Sequence, residues 1–154
     1  SRNRADNHDI FPISPFFQSL LRRIQKYLVS PQYSESMDLK TAVKGYQFAE
    51  RAKSELIISS QLTIALAGFP DAERPGGKRM LVLLLEAVRS ELEFAWKGTE
   101  MSDFRRAINL LSESISTVES ENYGAASLKM SESISAVTTA AQAAWQVLEA
   151  NGLI

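Results

Sequence analysis

Apolar residues recur along this chain at intervals of three and four, the spacing that aligns one face of an α-helix and that an alternating strand does not produce. Five segments carry the pattern. The first, over 15–29, aligns Phe17, Leu20, Leu21, Ile24, Tyr27 and Leu28, with Gln18, Arg22, Arg23, Gln25 and Lys26 on the opposite side. Ser14 reads as its cap, Pro15 suits the first helical position, and Pro31 ends it. Residues 1–13 form a polar arm closing on Ile10-Phe11-Pro12-Ile13.

Asp38 is a suitable cap for a longer helix over 39–67, where the apolar signal is broad: Ala42, Val43, Tyr46, Phe48, Ala49, then Leu56, Ile57, Leu62, Ile64 and Ala65. Gly68-Phe69-Pro70 supplies the stop, with the glycine expected in the left-handed conformation. A loop over 71–77, holding Pro75-Gly76-Gly77, leads into a helix over 78–97 that stops at Gly98. Its seam is Leu81, Leu85, Val88, Leu92 and Ala95. Leu83, Leu84, Ala87 and Phe94 widen it, which predicts the most buried helix of the set.

Ser102 and Asp103 mark the start of a helix over 103–121 with the seam Phe104, Ile108, Leu111, Ile115 and Val118. Asn122-Tyr123-Gly124 makes a turn, and a helix over 125–150 aligns Met130, Ile134, Val137, Ala141, Ala144 and Leu148 before Asn151-Gly152. Long helices joined by short turns pack antiparallel at a shallow angle. The expected fold is therefore all-α: an up-and-down four-helix bundle (39–67, 78–97, 103–121, 125–150) with an additional N-terminal amphipathic helix (15–29), forming one domain over 1–154. The echo Ser112-Glu-Ser-Ile-Ser116 and Ser131-Glu-Ser-Ile-Ser135 has a period of nineteen residues. Helical repeats need about 33 or more, so it reads as two similar helix faces.

Composition narrows the function more than the fold. With 45% apolar and 23% charged residues, the 154-residue chain has the makeup of an ordinary globular domain. It has no cysteine, which removes disulfides, thiolate metal sites and thiol nucleophiles. A net charge of −1 argues against a nucleic-acid partner, although Lys and Arg outnumber Asp and Glu by 12 to 8 over residues 1–80 and are outnumbered 5 to 10 thereafter. No apolar run is long enough to span a membrane, and the first residues contain no apolar stretch of the signal-peptide kind, so a cytoplasmic protein is expected.

Catalytic chemistry is thinly supplied. The one histidine, His8, lies in the polar arm, where a general base is not held against a nucleophile. Glu86, Glu91 and Glu93 read as a solvated stripe, and neither a metal nor a cofactor is expected. Trp96 and Trp145, with Phe94, Phe104 and Tyr123, read as core aromatics.

Two features could recognise something. Gly76, Gly77, Lys78 and Arg79 stand at a helix N-terminus, where free N–H groups and glycines suit a phosphate or other anion, although the run is not a Walker A loop because Arg79 occupies the hydroxyl position. The stripe Phe17, Leu21, Ile24 and Leu28 must be buried somewhere, on its own bundle, a partner or a second copy. The sequence thus favours a non-enzymatic helical protein acting through protein–protein contact, as scaffold, adaptor or small subunit, and self-associating. The alternative is a bundle that binds an anionic small molecule near 74–79.

Overall fold

The computed structural model describes residues 37–154 together with Pro15 and Ser19, both helical and exposed. The polar arm and the rest of the expected helix over 15–29, with Phe17, Leu21, Ile24 and Leu28, lie outside the described residues. Over residues 37–154 the chain forms four helices: α1 (Leu39–Ala67), α2 (Arg74–Thr99), α3 (Ser102–Glu119) and α4 (Tyr123–Ala150). Among the described residues there is no strand. The helices pack as a closed square, α1 on α2, α2 on α3, α3 on α4 and α4 back on α1. Arg51 meets Glu91, Lys78 meets Glu121, Ser133 meets Ala107 and Tyr46 meets Trp145, so every neighbouring pair runs antiparallel.

The seams follow the heptad rhythm that a shallow crossing angle demands. In α2 the buried residues are Leu81, Leu85, Val88, Leu92 and Ala95, and in α3 they include Phe104, Ile108, Leu111, Ile115 and Val118, as the spacing predicts. Two expectations fail. Helix α2 buries that single stripe and leaves Met80 (70% exposed), Leu83 (62%) and Phe94 (66%) in solvent, so it is not the most buried helix; α4, lined by small residues, buries nine. In α1 the buried positions are Ala42, Gly45, Ala49, Ala52, Leu56, Ser59, Thr63 and Leu66, a strict three-four alternation, while Val43, Ile57, Leu62 and Ile64 face outward.

This α1 seam works because its residues are small and its hydroxyls are satisfied. Ser59 donates to the Glu55 carbonyl at 2.8 Å, and Thr63 donates to the Ser59 carbonyl at 2.8 Å while lying 3.4 Å from Met130 Sδ. Buried polar groups cost little once bonded. Gly45 leaves no room for a side chain: a Cβ there would lie 2.7 Å from Met101 Sδ. Met101, buried in the α2–α3 connection, plugs the core at that level. Because α3 has 18 residues against 26 to 29 in the others, the α1–α4 pair continues beyond the plug around Ala42, Ala144 and Leu148.

The helix ends correct the expected boundaries. Asp38 caps α1 as predicted, its Oδ1 accepting from the Thr41 N–H at 2.7 Å. Gly68 is not left-handed (φ −91°, ψ 1°); α1 closes through tight bonds from Gly68 N–H to the Ala65 carbonyl and from Phe69 N–H to the Leu66 carbonyl, both 3.1 Å. Pro70, with no donor of its own, turns the chain: its carbonyl accepts from Glu73 and Arg74, which starts α2 at Arg74 and places Pro75, Gly76 and Gly77 inside its first turns.

At its far end α2 runs through Gly98 to Thr99, and Glu100 takes the left-handed position (φ 54°). Met101, not Ser102, is the N-cap residue of α3. Burial of Met101 beneath Gly45 fixes the entry one residue early. Helix α3 ends at Glu119 rather than 121. Asn122 N–H bonds the Thr117 carbonyl and Glu121 N–H bonds that of Val118, a Schellman closure that puts Glu121 (φ 62°) where glycine is usual. Helix α4 starts at Tyr123, two residues earlier than expected, because the Asn122 side chain accepts from Ala125 N–H at 3.2 Å. Gly152 (φ 70°) then ends the chain's last helix as the sequence suggests.

The serine echo has a structural counterpart. Ser114 Oγ donates to the Ala126 carbonyl at 2.9 Å and Ser133 Oγ to the Ala107 carbonyl at 3.1 Å, both fully buried. Each serine stands one heptad after the alanine that accepts from the other helix, so the α3–α4 contact is reciprocal. The echo's glutamates, Glu113 and Glu132, both reach Lys129 Nζ, at 3.0 and 3.6 Å.

Candidate interaction surfaces

The residues expected to hold an anion share the start of α2, but most of their donors are engaged. Gly77 N–H donates to the Glu73 carbonyl at 3.1 Å, and Arg74 N–H to that of Pro70 at 3.0 Å. Gly77 is there for packing: a Cβ would lie 2.6 Å from Leu66 Cδ1 and 2.9 Å from the Phe69 ring. Lys78 leans toward the end of α3, with Nζ 3.4 Å from the Glu119 carbonyl and 3.8 Å from Glu121. Gly76 and Arg79 are exposed, and a cavity of about 280 Å³ opens beside Lys78, Arg79, Val82, Leu83 and Glu119. Arg74 turns away, pairing with Asp71 at 3.0 Å and donating to the Phe69 carbonyl at 2.7 Å.

The outer side of the α1–α2 pair is apolar to an extent the sequence did not suggest. On α1, Ile58, Leu62, Ala65 and Phe69 are exposed at intervals of four, three and four; on α2, Met80, Leu83, Ala87 and Phe94 are exposed at intervals of three, four and seven. The contacts of Arg51 with Glu91 and of Gly77 with Leu66 fix the antiparallel register. That register brings Leu62 level with Met80 and Ile58 level with Leu84, between Leu83 and Ala87, so the two stripes adjoin on one face. A single charged cluster interrupts it. Arg51 Nε bonds Glu55 at 3.0 Å and Nη2 bonds Glu91 at 2.7 Å, one guanidinium between two carboxylates. Burial, and then the neighbouring Glu55, push the Glu91 carboxyl above its usual range, and Glu55 raises Arg51 further. Glu91 is thus a paired, half-buried group rather than part of a solvated stripe.

Of the aromatics expected in the core, Phe104 is fully buried and Trp96 and Tyr123 are half-buried against it, whereas Phe94 and Trp145 are exposed. Trp145 instead pairs with Tyr46, ring centroids 5.7 Å apart and planes tilted by 49°. The pair borders a groove of about 320 Å³ between α1 and α4, which Glu50, Lys53, Gln146 and Glu149 also line. Lys53 Nζ is bound to Glu50 at 2.7 Å. The groove joins residues too distant in sequence for spacing to connect.

Among the described residues no group of three or more His, Asp or Glu side chains is placed to hold a metal ion, and no helix is long and apolar enough to cross a membrane. Comparison with known proteins found no matching family, no similar curated protein and no similar solved structure.

Proposed function

We propose that this chain is a non-enzymatic interaction module that self-associates, the apolar α1–α2 face of one copy receiving the amphipathic segment 15–29 of a second. The observation that carries the reading is the adjoining exposed stripes on α1 and α2, from Ile58 to Phe69 and from Met80 to Phe94. Scattered exposed apolar residues need no explanation, but a contiguous patch is what a docking surface presents. Its two adjoining stripes suit a helix laid along them, a mode read through anchors at three-and-four spacing. The stripe Phe17, Leu21, Ile24 and Leu28 offers that spacing, with Arg22, Arg23 and Lys26 on its polar side.

Reach favours a second copy as the receiver. Ile58 lies twenty residues along the helix from Asp38, roughly 30 Å at 1.5 Å per residue. The nine residues from 29 to 38 span at most about 30 Å when fully stretched, so seating at the Ile58 end of the chain's own face, where both stripes are continuous, demands an almost straight connector containing Pro31. A neighbouring copy imposes no such demand. Charge is compatible: residues 1–36 carry 5 Lys and Arg against 3 Asp and Glu, and residues 37–154 carry 12 against 15. The reading takes the cytoplasm as the compartment and requires no cofactor.

Light scattering on the full chain tests it. The wild type is expected to be dimeric at tens of micromolar; Leu62→Glu, Met80→Glu, Leu21→Glu and Ile24→Glu are each expected to give monomers of unchanged helicity. Leu128→Glu, on the exposed side of α4, should leave the dimer intact. A monomeric wild type, or a dimer indifferent to all four substitutions, refutes the proposal.

The second reading, an anion held by Gly76, Gly77, Lys78 and Arg79, draws support from the cavity beside Lys78 and Arg79. Glu119 lines the same cavity and Lys78 already has carboxylate and carbonyl neighbours, which favours the first reading. A thermal shift with millimolar phosphate or nucleotide, lost in Arg79→Ala, would reverse that preference.

A further inference from the structure

We infer that the groove between α1 and α4 is a binding site for a small alkylated ammonium cation, independent of the α1–α2 face. The groove arises from how the two helices approach. Gly45 and Ala49 on α1 and Ala140, Ala141 and Ala144 on α4 bring the helix axes close, so no large side chain fills the space along their flank. Tyr46 and Trp145 stand at that flank and meet as a tilted corner, centroids 5.7 Å apart. A cation seated in the open angle of that corner can lie within the ~6 Å over which each ring attracts it. Trp145 remains 38% exposed, so the site is open to a ligand from solvent.

The charges select the sign. Two carboxylates, Glu50 and Glu149, and one ammonium, Lys53, line the groove. Lys53 is committed to Glu50 at 2.7 Å, and among the described residues the Glu149 carboxylate beside the aromatic corner has no ion-pair partner. Gln142 and Gln146, the remaining long side chains of the α4 wall, are neutral and add no opposing charge. The groove volume of about 320 Å³ lies at the lower end of the ~300–1,000 Å³ typical of ligand pockets, which limits the guest to a small molecule. A hydrated metal ion would gain nothing from the indole and phenol rings, whereas a methylated ammonium is weakly hydrated and presents the apolar, positive surface such rings prefer.

Choline is the probe, with its uncharged tert-butyl isostere as control. Proton–nitrogen correlation spectra of the full-length chain follow the indole N–H of Trp145, identified by its loss in Trp145→Phe, with Trp96 as internal reference. Choline is expected to move the Trp145 signal saturably and leave Trp96 in place. Glu149→Gln should weaken the affinity by about tenfold, the factor that ~1.4 kcal/mol corresponds to, and Trp145→Leu should abolish it while circular dichroism stays helical. If Trp145→Leu fails to fold, Gln146→Glu supplies the complementary test, since an added carboxylate should tighten binding. Equal movement with the isostere, or no movement beyond that of matched sodium chloride, overturns the assignment.

Discussion

Substituting alanine for Gly77 and for its neighbour Gly76 sets one gain against one loss and separates them by position. Both residues lie in the first turns of α2, so each Gly→Ala change removes backbone freedom from the unfolded chain and contributes roughly 0.5–1 kcal/mol to stability. At Gly76 nothing lies within 4 Å of the new methyl, so the gain stands alone. At Gly77 the methyl would sit 2.6 Å from Leu66 Cδ1, 2.9 Å from Phe69 Cε2 and 3.1 Å from Phe69 Cδ2. Carbon atoms prefer about 3.5–4.0 Å, so Leu66 must retreat by about 1 Å. Leu66 is 2% exposed and held by the core, which makes that retreat an overpacking cost of about 1–3 kcal/mol. Phe69, exposed at the surface, can rotate away at little cost.

The expected outcome is a gain of up to ~1 kcal/mol for Gly76→Ala and a net loss of about 0.5–2 kcal/mol for Gly77→Ala. For a chain of this size each kcal/mol moves Tm by roughly 2–4 °C, so the two variants should melt on opposite sides of the wild type. Urea and thermal unfolding followed by far-UV circular dichroism measure both. A Gly77→Ala protein as stable as Gly76→Ala would show that the end of α1 does not press on the start of α2.

Further expectations follow from other contacts. Leu85→Ala, at a fully buried seam position, should lose about 2–5 kcal/mol, whereas Leu83→Ala two residues away should stay within ~0.5 kcal/mol; chemical denaturation distinguishes a one-stripe α2 from an all-round buried one. Ser133→Ala removes one hydroxyl–carbonyl bond and should cost about 1 kcal/mol, with a double-mutant cycle alongside Ser114→Ala reporting whether the reciprocal pair couples. Glu121→Gly relieves a left-handed glutamate and should stabilise by roughly 1 kcal/mol, seen as a raised denaturation midpoint. The Asp38 carboxyl lies below its usual range, chiefly because its carboxylate accepts from the Thr41 backbone N–H. Its capping contribution should therefore be complete above about pH 4 and fade as pH falls through the lowered value. Asp38→Asn should flatten that part of the stability–pH curve, and an unchanged curve would remove the cap from the account.

The seams of α2 and α3 were legible in the sequence because large apolar residues mark them at heptad spacing, and that of α4 was legible in part, through Met130, Val137, Ala141, Ala144 and Leu148, while Ser133, Ala136 and Ala140 are buried and Ile134 only half so. Helix α1 was harder to read. Its buried line runs through Gly45, Ser59 and Thr63, chosen for size and for backbone bonding, while the conspicuous Ile57, Leu62 and Ile64 point outward. Hydrophobicity reports what would like to be buried, not which neighbour is thin enough to be approached, and the alanines of α4 settled that for α1. Capping was legible at Asp38 and at Gly152, where the side chain or the missing one does the work itself. It was not legible at Glu100 and Glu121, which take up left-handed angles because the packed turns on either side impose them. The α1–α2 face emerges only when two stripes from different helices are set side by side. The Tyr46–Trp145 corner likewise needs the last helix folded back on the first.

The crossed serine bonds between α3 and α4 also decide where this chain can grow. Inserting a whole heptad into the connection at Glu121 and Asn122 would keep both greasy edges in phase, yet each hydroxyl would slide past the carbonyl it serves. Two pegs would then miss two holes, and the hairpin would lose its buried directional reason for a single alignment. The bend between α1 and α2 carries no buried hydroxyl–carbonyl bond of that kind: Asp71, Ala72 and Glu73 stand in solvent, with Gly77 packed on Leu66 and Phe69 beside them. Evolution or an engineer wishing to graft a loop onto this bundle would find the permissive seam at Ala72 and a locked one at the serine-keyed turn.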